Sequence, residues 1–427
     1  MSSFHLIAAS ATAPAGLGSI DQILESVRLH LGMDIAFASR IVGGQRQFTH
    51  IKSAIPLPLV PGDSELLEDT LCQRVLDGRL PALIHNAADH GAARELPLTQ
   101  MLPIGAHLNV PLTMRDGSIY GTFCCVNQRA DFSITERDMA ALRAFADLTA
   151  RIIEDERDVA DHHGALSERI QRTIEREELA VHHQPIVSLE TGAAVGVECL
   201  ARFEDAASRP PNEWFEEAAR IGCGVELELL AIRAALRSLP FVPAGLYVSI
   251  NASPATVTSG RLHGELAGCD RARVVLELTE HAPVADYGEL RAGLDELKPF
   301  ARLAIDDVGA GYAGLRHVLD LRPDIVKLDM SLTRDIDRDP ARRALAGAMV
   351  AFCNSIRAAI VAEGVETAGE RTTLHELGVL LGQGYLFGRP LPALVSHQKL
   401  LGMTGARDDV AAVAVLPALP QARAAIG

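Results

Sequence analysis

Aromatic residues are scarce in this sequence: five Tyr, twelve Phe and a single Trp among 427 residues. Leu, Val, Ile and Ala must therefore fill the interior. Basic charge is short as well, with 40 Lys and Arg against 55 Asp and Glu and a formal net charge of −15. That balance argues against a general affinity for nucleic acid polymers or anionic lipid, both of which require a basic surface. It admits a small anionic ligand only where a cation mediates the contact. No run approaches the roughly 18 apolar residues of a membrane span, so membrane insertion is not expected. The opening "MSSFHLIAASATAPAGLG" lacks the basic start and apolar core of a signal peptide. The seven cysteines (72, 124, 125, 199, 223, 269 and 353) are odd in number and scattered, with no C-x-x-C and no Cys/His set at zinc spacing. They read as buried free thiols of a soluble, cytoplasmic chain. The neighbours His162–His163 and His182–His183 read as solvated pairs.

What is present is enough for two domains: 48% of the residues are hydrophobic. Residues 1–17 read as a tail. Within 18–153 the pattern runs helix, antiparallel strands, helix. Ile20, Ile23, Leu24, Val27 and Leu31 keep helical spacing before Gly32. "DIAFASRIVGGQRQFTHI" predicts two strands around a Gly43–Gly44 turn. Residues 64–77 predict an amphipathic helix capped by Ser64. "AHLNVPLTMRDGSIYGTFCCV" predicts a hairpin with a type I′ turn at Asp116–Gly117. Ser133 and Glu136 have the spacing of a capping box before a long helix. The order predicts an α+β domain, after which 154–165 reads as a charged helical linker.

From 166 to 404 short apolar runs alternate with helical stretches: "HHQPIV", "VGVEC", "LYVSI", "RVVLEL", "RLAID", "DIVKL", "AIVAEG" and "LGQGYL". Eight strands with crossover helices predict a (β/α)8 barrel of parallel strands. The Ala/Pro-rich segment 405–427 reads as a tail. Strand ends in such a barrel converge on one mouth, and those positions hold Glu198, Asn251, Glu277, Asp306, Asp307, Lys327, Glu363 and Gln383. Five are carboxylates. Unit charges about 4 Å apart repel by about 4 kcal/mol at an effective dielectric of 20. Hard oxygen-seeking cations, Mg²⁺ or Mn²⁺, relieve that repulsion. Six oxygen-donor residues exceed the usual needs of one such ion, which points to two, arranged for attack on phosphorus. "DDVGAGYAGL" also holds the G-x-G-x-x-G spacing of a dinucleotide fold, but Asp306 and Asp307 would repel a pyrophosphate there, so that match reads as accidental.

Two resemblances sharpen this reading. Residues 18–153, chiefly "NVPLTMRDGSIYGTFCCVN" and the closing helix, resemble a GAF domain, a small sensory module. The resemblance implies a small ligand of unknown identity. His85, His107, Cys124 and Cys125 are candidates to line its pocket, with core or surface placement the simpler expectation for each. From about 166 to 403, "ECLARF", "NAS", "ELTE", "DDVGAGYAGL", "PDIVKLD", "VAEGVET" and "GQGYLFGRP" follow the order of motifs in EAL domains, the phosphodiesterases that open cyclic di-GMP to linear pGpG. Carried over, the resemblance implies Glu198, Asn251, Glu277, Asp306 and Asp307 as metal ligands. It implies Glu363 as second-metal ligand or general base, and Lys327 as the residue orienting the attacking water. Glu280 is implied as the anchor of the glycine loop. Gln184, Leu200, Arg202, Asn251 and Gln383 are implied as substrate contacts, and a homodimer is implied as the assembly.

The chain departs from the family pattern in places. Cys199 stands where Ala is usual and Phe203 where Trp is usual. Val308, Ala310, Ala313 and Gly314 change a loop usually written DDFGTGYSSL. No implied metal ligand is lost, but loop hydroxyls are. The leading expectation is a metal-dependent cyclic di-GMP phosphodiesterase regulated by its GAF domain. The alternative is a barrel that binds cyclic di-GMP with weak or no cleavage and signals to a partner. An enolase-type magnesium enzyme would share the strand-end acids but not the ordered motifs.

Overall fold

The computed structural model describes residues 19–404, except 97–98, 100–103, 205–208, 279–283, 285 and 310–311. The chain divides into two compact units, with the division after His162.

The first unit is an antiparallel sheet of six strands in the order β3-β2-β1-β6-β5-β4. These are β1 (Ile35–Val42), β2 (Gln45–Ser53), β3 (Ser64–Leu66), β4 (Leu83–Ile84), β5 (His107–Thr113) and β6 (Ile119–Val126). Strand alternation splits its interior into two cores. Ala36, Ala38, Phe123 and Cys125 face a core shared with the helices Ile20–His30 and Glu136–Arg176. Ile35, Phe37, Cys124 and Val126 face the opposite core, closed by Leu71 and Cys72 of the helix Leu71–Leu76. A cavity of about 40 Å³ opens in this second face, lined by Phe37, Phe48, Leu57, Leu59 and other apolar side chains. None of the four pocket candidates lines it. His107, Cys124 and Cys125 are buried, and His85 bonds through Nδ1 to the Asp131 carbonyl.

Local chemistry corrects several expectations. Residues 64–77 are not one helix: β3 pairs with β2, a 3₁₀ turn follows, and Thr70 caps the helix by accepting from the Gln73 amide. The ladder to β2 offered the backbone a better partner than a helix would. The hairpin turn is one residue longer than a type I′ turn. Gly117 N–H bonds Met114 O, Met114 N–H bonds Ser118 O, and Gly117 alone takes positive φ, which is a type I turn closed by a bulge. Ser133 does not cap the long helix, because its hydroxyl donates to Asp131. Thr135 and Asp138 pair at that end instead.

In the second unit β7 (Leu179–Ser188), β8 (Ala194–Phe203), β9 (Tyr247–Ala252), β10 (Val274–Leu278), β11 (Arg302–Val308), β12 (Ile325–Leu328), β13 (Ala359–Ala362) and β14 (Leu381–Gln383) form a closed barrel, since β14 pairs back onto β7. A short β15 (Leu391–Pro392) adds to β7. The barrel is not wholly parallel. β7 runs antiparallel to both neighbours because a tight turn joins it to β8, leaving no room for a crossover helix. The remaining pairs are parallel. His183 is not solvated. It is buried, with Nδ1 against Ser396 Oγ and Nε2 against Ser238 Oγ.

Candidate active site

The two-residue period that builds the barrel also builds its polar mouth. Ile186, Tyr247, Val275, Ala304, Ile325 and Val361 form an apolar layer, against which Leu381 packs. Ser249, Glu277, Asp306, Lys327, Glu363 and Gln383 each stand two residues beyond a member of that layer, and Asn251 stands four beyond Tyr247. Because β7 is reversed, its polar residue, Gln184, comes two residues before Ile186. On β8 the layer position is Gly196, where a Cβ would lie 2.7 Å from the Tyr247 ring. Glu198 follows two residues later. Leu200 and Arg202 continue the same face of β8, while Cys199 points into the outer core.

Lys327 sits at the centre of the acids. Its Nζ lies 2.7 Å from Glu363, 2.9 Å from Glu277, 3.0 Å from Asp306 and 3.8 Å from Glu198. The cluster therefore carries one cation of its own, which reading the acids alone did not anticipate. Burial pushes the lysine down, but Asp306, Glu198, Glu277 and Glu363 outweigh it and hold the ammonium well above the ordinary lysine range. Glu277 is raised to about 8, first by burial and then by Glu198 and Asp306, with Lys327 opposing. Burial likewise lifts Glu363 well above the usual carboxylate range. Gln383 donates to Glu198 at 2.6 Å and to Gln184 at 3.1 Å, and Asn251 donates to Glu198 at 3.2 Å.

Asp306 and Asp307 are successive residues on a strand, and regular alternation would send them to opposite faces. The pairing of β11 with β12 shifts between Ile305 and Val308, and Asp307 takes φ of +55°. This bulge re-aims Asp307, so that carboxylate oxygens of Asp306, Asp307 and Glu363 lie within 4.8 Å of one another. Arg202 donates to the Ala201 carbonyl. Glu280 lies outside the described residues.

Three supporting residues escaped the sequence reading. Ser249 donates to Glu277, and its place two residues before Asn251 was the available signal. Thr333 Oγ1 donates to the Glu363 carbonyl. Glu228 accepts from Ser253 and Thr256 just after β9, a long-range contact without a local pattern. The donor set fits hard cations. Five carboxylates gather at this mouth with one ammonium, and Gln383 Oε1 is buried without a hydrogen-bond partner.

The model of the EAL domain family matches residues 167–390, just over half of the chain. The chain belongs to the EAL domain family. That of the GAF domain matches residues 19–153, so the first unit carries a GAF domain. Among curated relatives, the probable cyclic di-GMP phosphodiesterase PdeB of Escherichia coli K12 is 29% identical over 243 residues, covering 52% of this chain and 45% of PdeB. The cyclic di-GMP phosphodiesterase NbdA of Pseudomonas aeruginosa is 30% identical over 240 residues, covering 53% and 31%. The chain thus spans less than half the length of these two relatives. A solved EAL domain protein from Listeria monocytogenes EGD-e is 26% identical, with a TM-score of 0.50, covering 55% of this chain and 96% of that one. Among the described residues no helix is long and apolar enough to cross a membrane.

Proposed function

We propose that this EAL barrel hydrolyses cyclic di-GMP to linear pGpG, with Mg²⁺ or Mn²⁺ as cofactor and the GAF domain as its regulatory unit. The observation that carries the reading is the polar ring around Lys327, with Asp306, Asp307 and Glu363 gathered by the bulge of β11. Glu198, Asn251, Glu277, Asp306, Asp307 and Glu363 would hold the ions, two per site. When bound, such ions acidify water and neutralise charge on a phosphodiester.

The chain's own residues do the rest. Glu363 is the base: its carboxylate takes the proton of the attacking water as oxygen adds to phosphorus, and the ribose 3′ oxygen that leaves takes a proton from solvent. Lys327 keeps a fixed positive charge beside that carboxylate and orients the water. Arg202 offers a planar fork to the second phosphate. Leu200 supplies apolar contact on the same face, while Gln383, itself bonded to Gln184, holds Glu198 in place, and both glutamines contact the substrate.

Purified chain, metal and cyclic di-GMP, with products resolved by chromatography, test the reading. The expected product is pGpG, absent with EDTA and restored by Mn²⁺, and absent from Glu198→Ala. Tight binding by wild type without cleavage would favour the receptor alternative, which the loop residues Ala310, Ala313 and Gly314 support by their lost hydroxyls.

A further inference from the structure

The second core of the GAF domain holds a polar cluster that plays no part in the barrel site. Cys72, on the helix Leu71–Leu76, meets Cys124 of β6 with their sulfurs 3.3 Å apart. His107 of β5 joins them, and one imidazole nitrogen and both sulfurs lie within 4.8 Å of one another. All three residues are buried. Asn109 is directly opposite Cys124 in the β5–β6 register, so both side chains leave on one face of the sheet. Its Oδ1 and Nδ2, and His107 Nδ1, are buried without a hydrogen-bond partner. Such orphans are costly in an apolar core and call for a ligand that satisfies them.

We propose that Cys72, His107 and Cys124 form a binding site for a thiophilic divalent cation, zinc, with the fourth position open toward Asn109. Two sulfurs and an imidazole are soft donors that select zinc over the Mg²⁺ or Mn²⁺ suited to the barrel acids. The surroundings complete the site. Arg46 is buried between Phe37 and Phe48, pairs with Glu65, and donates from Nη1 to Cys72 Sγ at 2.7 Å. An outer N–H donor of this kind fixes and stabilises a ligating thiolate. Charge also closes: two thiolates balance the cation, and Glu65 balances Arg46. The site escapes a search for zinc spacing because its ligands stand 35 and 17 positions apart on a helix and two strands.

Cobalt(II) titrated into the full chain, reduced with a phosphine, reads the site directly. The expected result is a sulfur-to-cobalt charge-transfer band that saturates at one equivalent and is displaced by zinc. Cys72→Ser and Cys124→Ser should lose that band, His107→Gln should alter the visible ligand-field bands, and Glu198→Gln should keep both. No thiolate band in the reduced wild type overturns the proposal, whatever the variants do. So does a band that survives both cysteine substitutions at full intensity. A Cys72–Cys124 disulfide that, once reduced, still yields no band would assign the pair to thiol redox chemistry instead and equally overturn the site.

Discussion

Lys327 gives the barrel mouth its stability without metal, because among the described residues it is the only cation touching four acids that burial has already penalised. Removing one partner of a buried ion cluster leaves uncompensated charge and costs about 3–5 kcal/mol. Lys327→Met should therefore lower the unfolding free energy in EDTA by about that amount, measured by urea titration, and abolish turnover. A variant as stable as wild type without metal would show that the acids are already protonated there. His183 carries a second electrostatic cost. Burial depresses its imidazole to about 4 from an ordinary 6.5, with His182 adding to the effect. The neutral ring is favoured by the fold, so this contribution is complete above about pH 6.5 and is lost as pH falls toward 4. A fall from 6.5 to about 4 sets an upper limit of about 3 kcal/mol. His183→Gln should flatten the fall in stability between pH 6.5 and 4.5, and an unchanged pH profile would refute the assignment. Because Ser238 and Ser396 each also donate to a backbone carbonyl, the neutral ring requires one hydroxyl to turn and donate into it.

At the level of strands, the alternation between apolar layer and polar mouth is the organising feature, and at Gly196 that layer has no room for a side chain. Adding a Cβ against the Tyr247 ring overpacks the barrel and should cost about 1–3 kcal/mol in Gly196→Ala. Tyr247→Leu in the same chain should recover about 1 kcal/mol relative to the sum of the single changes, a coupling that a double-mutant cycle measures. Strictly additive effects would place the clash elsewhere. This alternation is also why much of the site was legible in the sequence: apolar runs ending in an acid, amide or lysine marked Glu277, Asp306, Lys327 and Gln383 before any coordinates. What escaped depends on information that local pattern lacks. The direction of β7 is set by the turn to β8 and not by its hydrophobicity. The bulge at Asp307 is a backbone event that sequence spacing cannot distinguish from a regular strand. The segment 64–77 had helical periodicity, yet a ladder partner twenty residues earlier claimed its first three residues. Cys72, His107 and Cys124 meet only because the sheet and helix fold over one another.

For the whole molecule, the long helix Glu136–Arg176 is the element through which regulation by the GAF domain can be tested. Its early residues Met139, Leu142, Ala146, Ala150 and Ile153 belong to a GAF core, and Leu166 and Ile170 belong to a core with Trp214 and Leu230 of the EAL unit. Between them residues 156–165 are all exposed, so extra residues there disturb neither core. Each residue added to a helix turns the downstream part by about 100° and advances it by about 1.5 Å. Two alanines inserted after Ala160 therefore rotate the downstream segment by about 200°, whereas seven bring it back to within about 20° of its original phase. If the GAF domain controls turnover through this helix, the two-residue insertion should change the rate at fixed Mn²⁺ by severalfold, and the seven-residue insertion should restore it despite being longer. Circular dichroism and melting should show both variants folded as wild type. Rates that follow length but not phase would point to a tether, and rates that follow neither would remove the helix from the regulatory route.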